Sequence, residues 1–329
     1  MSLAKVAREA GVAVSTVSRY VRGELNVASE TARRIDAALS AEGHPPVQKQ
    51  VAGLSLGLVV PSLDNPYFSA LADAVADAAA ADGIDVFTAL TGSSPSRERA
   101  SVERLMRVPE VGGLIYLGMN NTNEAFASRL AGDFPVVFLD EYVEAAGPRI
   151  AHITANSFGG AYQATTHLIS QGHRLIAHVG GPAGLRTADQ REAGYRAAMK
   201  AHGVEVNESM IVRGTFSSAF GMNFFAHMAR ADAAPTAVFT ASDIAAVGLL
   251  EAARRAGVSV PGDLSVIGCD GITLGEWTSP RLTTVAQPTE QMARKAVDEI
   301  TRLAAGESPA DHVLSMQLVV RESTREYSA

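Results

Sequence analysis

Cysteine is nearly absent from this 329-residue chain, in which Cys269 is the only one. A lone thiol excludes an internal disulfide framework and suits a reducing compartment. Tryptophan is as sparse, with Trp277 alone, and aromatic residues make up only 6% of the chain, so few rings are available to wall a binding site. No apolar run approaches the roughly 18 residues that a membrane span needs. No basic-then-apolar signal segment opens the chain. A cytoplasmic protein without membrane contact is expected.

The motifs of catalysis and cofactor chemistry are missing too. No Gly-x-Gly-x-x-Gly or Walker-type run follows a strand, so nothing points to a dinucleotide or a nucleoside triphosphate. The eight histidines show no metal-ligand spacing, and His173 and His178 read as residues flanking a strand. Ala155-Asn156-Ser157-Phe158-Gly159 has the look of a nucleophile elbow without its first glycine. No His–acid pair accompanies it, and Ser157 reads better as a helix cap. Cys269 lies in an apolar strand and reads as inert core. The expectation is a protein that is not an enzyme and carries no metal and no cofactor.

What is present is a soluble globular composition, 47% apolar and 19% charged, with length for two or three domains. The net charge of −7 hides an asymmetry: residues 1–52 carry +2 and the remainder −9. A basic head on an acidic body keeps phosphate attraction local.

Residues 4–23, AKVAREAGVAVSTVSRYVRG, concentrate that charge, with Lys5, Arg8, Arg19 and Arg22 against Glu9 alone. Val6 and Ala10 share a helical face, Gly11 permits a tight turn, and Val17 and Val21 stand i, i+4 on the inner face of a second helix. Two short helices about a glycine turn read as a helix-turn-helix. Val14, Ser15, Ser18 and Arg19 face outward, as a helix laid in a DNA major groove requires. Val6-Ala7-Arg8-Glu9-Ala10-Gly11-Val12 and Ser15-Thr16-Val17-Ser18-Arg19 closely resemble the headpiece of the LacI/GalR family of bacterial transcriptional repressors. The resemblance implies double-stranded DNA as partner, contacted through Lys5, Val14, Ser15, Thr16, Ser18, Arg19 and Arg22. Ala13 departs from the serine or threonine common in that family at this helix start.

Ser29-Glu30-Thr31 starts a third helix with Ser29 as cap, Ile35 and Leu39 mark its buried face, and Gly43, Pro45 and Pro46 end it. Val6, Val17, Val21, Ile35 and Leu39 are the expected core of the head. Residues 45–53, PPVQKQVAG, form a neck. The family's members usually run from a Tyr-x-Pro into a hinge helix whose apolar residue wedges into the minor groove. His44-Pro45-Pro46 replaces that start and the neck is shorter, leaving Val51 as the one wedge candidate. A weak operator kink, or none, is expected.

From Leu54 strands and helices alternate. Apolar runs at 56–60, 85–90, 113–117 and 135–139 are buried-strand candidates, separated by helices near 66–82, 96–107 and 122–131. A second series has strands at 174–179, 210–213, 236–241 and 264–269, with helices near 158–171, 187–202, 217–231 and 243–256. A last helix near 289–305 and a strand near 313–320 complete one lobe each. This pattern predicts two doubly wound, parallel-sheet α/β lobes behind a small all-α head. It resembles the periplasmic-binding-protein-like sensor body of the same family. The expected division is 1–44 for the head, 45–54 for the linker and 55–329 for the body. Its first lobe takes about 55–155 plus 286–311, and its second about 156–285 plus 312–329.

Ligands of open parallel sheets bind beyond the carboxyl ends of strands. Asp64, Asn65, Asp140, Ser242 and Asp270 fall at such positions. Tyr67, Phe68, Phe216, Phe220 and Trp277 offer rings to the apolar face of a small polyol. The family resemblance marks Asn65-Pro66-Tyr67-Phe68 as the first ligand loop and Asp140 as the acid closing a strand. It marks Arg191 as the arginine that reaches the effector and Asp270 as the acid after a strand. Ser242 stands where many members carry asparagine, which leaves the effector's identity open. The function expected is a sequence-specific DNA-binding regulator, a repressor, controlled by a small effector bound between the lobes. A sugar or sugar derivative fits best, with a nucleobase or nucleoside as alternative. A cytosolic solute-binding protein without a DNA role is the rival that the basic head argues against. The tail RESTREYSA lacks a leucine heptad, so a homodimer on a palindromic operator is expected.

Overall fold

The computed structural model describes residues 3–21, 25, 27, 29–41, 54–119, 132–145, 147–228 and 234–327. Arg22, Val51 with most of the neck, and the expected helix at 122–131 lie outside the described residues.

Three helices build the head: α1 (Leu3–Ala10), α2 (Val14–Val21) and α3 (Ser29–Ala41). Gly11 ends α1 with φ +66°, and the Val12 N–H closes the turn on the Ala7 carbonyl at 2.9 Å. That left-handed cap is open to glycine at little cost. The core gathers Val6, Ala7, Ala10, Val17, Tyr20, Ile35 and Leu39. Full burial of side chains such as Val17, Ile35 and Leu39 contributes about 1.5–3 kcal/mol each. Val21, expected inside, is 40% exposed. Tyr20 takes the inner face instead, because its hydroxyl finds a partner there. It donates to both Asp36 carboxylate oxygens at 3.0–3.1 Å. Burial first, and then Asp36, push its pKa up to about 12.

The first lobe runs β1 (Ser55–Val60), α4 (Pro66–Ala81), β2 (Asp85–Leu90), α5 (Pro95–Leu105), β3 (Val111–Tyr116), β4 (Val136–Leu139) and β5 (Ile150–Ala155). The second runs α6 (Ser157–Ser170), β6 (Ile176–Gly180), α7 (Arg186–Ala201), β7 (Ile211–Arg213), α8 (Ser218–Met228), β8 (Ala237–Thr240), α9 (Asp243–Arg255), β9 (Ser265–Asp270) and β10 (Thr283–Ala286). The chain then returns through α10 (Thr289–Ala304), which packs on α4, β3, β4 and β5 of the first lobe. It ends in β11 (His312–Leu314) and β12 (Gln317–Val319).

Each lobe holds a six-stranded sheet, in the orders β11-β5-β4-β3-β1-β2 and β12-β10-β9-β8-β6-β7. All neighbours are parallel except the β10–β12 pair, which is antiparallel. The expected single strand at 313–320 is thus two strands. β11 joins the first sheet and β12 the second, so the chain crosses between the lobes at 155–157, 286–288 and 315–316. β5 and β10 were not among the expected strands. The 85–90 run was expected to be buried, but β2 pairs only with β1 and forms an edge. Phe87 is 45% and Leu90 53% exposed there. One buried apolar cluster runs from Leu56, Leu71 and Ile115 through Met292 and Ile300 of α10 to Ile267 and Val285. That continuity ties the crossings to both sheets. Among the described residues no helix is long and apolar enough to cross a membrane.

Candidate functional site

Two candidate sites follow from this frame, one on the head and one between the lobes. On α2 the buried positions Val17 and Tyr20 fix which residues face out. Val14, Ser15 and Arg19 are exposed, Thr16 and Ser18 half-buried, and Lys5 is exposed on α1. The outward face of α2 therefore carries one apolar, several hydroxyl and one guanidinium group, a set able to read base edges. The Ala13 carbonyl accepts from Thr16 and Val17 N–H at 2.9 and 3.2 Å. Ala13 thus occupies the cap position without a side chain able to cap.

Between the lobes, Tyr67, Asp140, Arg191 and Asp270 come together. Tyr67 donates its hydroxyl to Asp140 Oδ1 at 2.7 Å. Arg191 is 3% exposed. Its Nη1 lies 3.2 Å from Asp270 Oδ1 and also donates to the Ala241 carbonyl. Both carboxylates close their strands with positive φ, +75° at Asp140 and +128° at Asp270. Such backbone is uncommon outside glycine and is tolerated best by Asp and Asn. Phe216 adds a ring 5.8 Å from the Arg191 guanidinium carbon. A side chain at Gly181 would meet that ring at 2.2 Å, so only glycine leaves room for it.

Two further residues hold the site: Gln287, which had no local sequence signal, and Asp243, which follows a strand beside Ser242 as the sequence pattern indicated. Gln287, in the second crossing, donates from Nε2 to Asp270 Oδ1 at 3.0 Å. Asp243, fully buried, accepts from Gly271 N, Ile272 N and Thr284 Oγ1 at 2.8, 2.9 and 2.6 Å. It braces the loop that presents Asp270. A Cβ at Gly268 would lie 2.0 Å from its carboxylate.

Burial governs the electrostatics. It pushes the carboxyls of Asp140 and Asp270 up, and the Arg191 charge pulls each back down. Burial works against the Arg191 charge, but the carboxylates of Asp270 and Asp140 offset it, so the guanidinium stays protonated. Two buried polar atoms of the cluster, Arg191 Nε and Gln287 Oε1, have no hydrogen-bond partner among the described residues. One is a donor and the other an acceptor. Chemically the cluster can hold a small molecule rich in hydroxyl groups, each of which can both accept and donate.

The next residues along the first lobe also reach the second. Glu141 accepts from Thr187 Oγ1 at 2.6 Å and Thr187 N at 3.2 Å. Burial lifts its pKa to about 7 although the Thr187 hydrogen bonds pull it down. A cavity of about 140 Å³ beside this contact is lined by Asp140, Tyr142, His152, Asn156, Thr187 and Gln190 among others.

Several expected site residues are placed elsewhere. Phe68 packs in the first lobe's core, because α4 turns it inward. Ser242 is buried and caps α9, accepting from Ala245 N at 3.4 Å. Trp277 is 77% exposed and walls nothing in the cleft. It follows a 3-10 turn (Thr273–Glu276) that carries it outward. Asn65 commits its side-chain oxygen to the Tyr67 N–H as the cap of α4. Asp64 is exposed beside it. Asn156, not Ser157, caps α6, accepting from Gly159 N at 2.8 Å. His178 lies inside β6 rather than beside a strand.

Comparison with known proteins bears on both sites. Residues 2–46 match the model of bacterial regulatory proteins of the lacI family, and residues 165–324 match a periplasmic binding protein-like domain. The chain is 28% identical over 327 residues to the HTH-type transcriptional repressor CytR of Escherichia coli (strain K12), covering 97% of this chain and 95% of that one. A LacI transcriptional regulator from a Rhodococcus species is 30% identical with a TM-score of 0.73, over 83% of this chain and 98% of that one. The complex of the transcriptional regulator CelR with cellobiose is 28% identical with a TM-score of 0.74, over 98% and 99%. These relatives are regulators, not enzymes. The head with its outward α2 and the two lobes with their buried polar cluster make one architecture, and the chain belongs to the LacI family of DNA-binding transcriptional repressors with an effector-binding body.

Proposed function

We propose that this repressor works in the cytoplasm as a homodimer. It binds a palindromic operator through Lys5, Arg22 and the outward face of α2, and it is controlled by a small polyhydroxylated effector, a sugar or sugar derivative. The observation that carries the effector class is the cleft's polar set. Asp140 and Asp270 accept hydroxyl hydrogens, Arg191 Nε and Gln287 Oε1 offer one donor and one acceptor without partners among the described residues, and Phe216 supplies a ring. A hydroxyl group satisfies donor and acceptor together, and leaving both bare costs about 1–3 kcal/mol each. The cellobiose bound by the CelR relative agrees with this class.

Dimerisation is supported by the edge strand β2, which exposes Phe87 on one face and Leu90 on the other. A free apolar edge calls for a cover. Effector binding then alters the relative placement of two necks, and so the spacing of the two heads on the operator. A thermal-shift panel of pentoses, hexoses, disaccharides and nucleosides, read beside a gel shift on the upstream region of the chain's own operon, tests both parts. A sugar is expected to raise the melting temperature and to change operator retention. Stabilisation by nucleosides alone would replace the sugar reading, and an absence of operator binding would refute the DNA role. Arg19→Ala is expected to weaken operator binding by about 1–3 kcal/mol, the worth of a bidentate guanine contact. Unchanged retention in the gel shift would remove Arg19 from the interface.

A further inference from the structure

Residues 140–142 leave β4 and face the start of α7, which belongs to the other lobe. Asp140 addresses Arg191 and forms part of the polar cluster. The next two residues make contacts of a different kind. Glu141 accepts both the hydroxyl and the backbone N–H of Thr187. Tyr142 lies under Arg186, with 4.1 Å between the guanidinium carbon and the ring centroid.

Both contacts meet a helix end that lacks local provision. The first backbone N–H groups of a helix have no partner within it, and a cap side chain ordinarily supplies one. The cap position of α7 is Leu185, which makes no side-chain cap hydrogen bond. The carboxylate that fills the role is 46 positions away in the chain, on the opposite lobe. When ionised, it also favours the positive end of the helix dipole.

Tyr142 is held in place from the first lobe. Its ring stacks on His152 at 4.3 Å, and His152 stacks on Phe138 at 5.2 Å. The His152 nitrogens are in turn bonded to Asp311 Oδ1 at 3.2 Å and to the Val143 carbonyl at 2.8 Å. Arg186 therefore docks on a ring whose orientation is already fixed, a favourable cation–π geometry. Neither contact uses the groups that would hold the effector.

We propose that Glu141 and Tyr142 form a clasp between the lobes that needs no ligand, with Glu141 capping α7 from across the cleft. They are positioning residues. They hold Thr187 and Arg186, and through α7 they hold Arg191, in the closed arrangement. The clasp sets the share of molecules closed before any effector arrives. The effect on effector affinity, by contrast, rests on reading the cleft as the effector site. If the closed form is the competent one, losing the clasp weakens apparent affinity in proportion to the closed share lost.

Hydrogen exchange on the ligand-free full chain tests the clasp directly. The Thr187 N–H sits in the first turn of α7, so its protection reports the Glu141 contact. Glu141→Ala is expected to speed its exchange about tenfold or more, while amides in the middle of α7 keep their protection. Glu141→Gln keeps an acceptor and should restore most of the protection. Small-angle scattering of Glu141→Ala and Tyr142→Leu should show a larger radius of gyration than wild type. Equal Thr187 exchange in wild type and Glu141→Ala, or an unchanged radius in both variants, would overturn the proposal. Thr187→Val, which removes the hydroxyl and keeps the N–H, covers the case in which Glu141→Ala does not fold. It should enlarge the radius of gyration, and no change would likewise overturn the clasp. Operator binding by the same ligand-free samples reports separately on the regulator reading. A failed clasp with intact operator binding removes this inference alone.

Discussion

His178 shows how far burial alone can move a side chain's chemistry. It is fully buried in β6, between the rings of Tyr195 and Phe239 at 5.2 and 5.1 Å, with Nδ1 near the Phe239 carbonyl. Burial pushes its pKa down to about 4, with Glu192 only partly opposing. The unfolded chain therefore binds more protons than the folded one between about pH 6.5 and 4. Stability contributed by the neutral ring is present above that window and is lost as pH falls through it, to about 3 kcal/mol by pH 4. Urea titrations at pH 7 and pH 4.5 should show this loss in wild type and a smaller one in His178→Phe. Arg191 works in the opposite sense. As a fully buried partner of two carboxylates, it stabilises the body whatever part it takes in the proposed effector site. A polar residue off the apolar core would leave the body's stability unchanged if it met only solvent. Arg191→Ala should instead cost about 3–5 kcal/mol near pH 8, the usual cost of stranding a buried charge. Asp140 and Asp270 are already pushed up by burial and rise further without Arg191, so the variant's folded state gains protons that the unfolded state does not. The deficit should shrink as pH is lowered toward 6. A deficit independent of pH would contradict that account.

At the scale of elements, α2 begins with an unfilled cap. Ala13 accepts through its carbonyl but offers no side-chain oxygen to the first turn. Ala13→Ser should stabilise the head by about 1 kcal/mol. Calorimetry of the full chain would show this as a higher melting temperature for the head's transition, and no gain would mean that the turn geometry does not admit the cap. The contrast with α7 is informative. One helix start lacks a side-chain cap from its own cap residue and the other obtains one from a different lobe. A cap from another lobe couples the helix end to the position of that lobe, whereas a local cap does not.

For the whole molecule, the edge of the first sheet is where the proposed dimer can be tested. β2 is the edge strand of the described sheet and exposes Phe87 and Leu90. Phe87→Asp is expected to shift sedimentation toward the monomer. It should lower operator affinity by an order of magnitude or more, since two linked heads gain about 10²–10⁴ over one. A variant that stays dimeric would place the interface elsewhere. The charge layout acts at the same scale. The basic stretch is confined to the first 52 residues of a chain whose net charge is −7. Salt sensitivity of operator binding should therefore arise in the head.

Whereas Arg191 was marked by family resemblance alone, the sequence by itself determined the head, the alternation of strands and helices, and the strand-end positions of Asp140 and Asp270. Each depends on information within a few residues: helical spacing, a glycine turn, or the end of an apolar run. The choice between Tyr20 and Val21 was already beyond it. Both sit near one face of α2, and only Asp36 on α3 decides which side chain turns inward. β5 and β10 were hidden for a related reason. His152, Thr283 and Thr284 read as surface residues until their partners are in place, and those partners are remote: Asp311, Arg321 and Asp243. Gln287 and the Glu141–Thr187 contact were hidden in the same way. A buried polar side chain is stable only with its hydrogen-bond partner beside it. When that partner lies 17 or 46 positions away, only the packing of the sheets and the crossing of the chain between the lobes brings the two together.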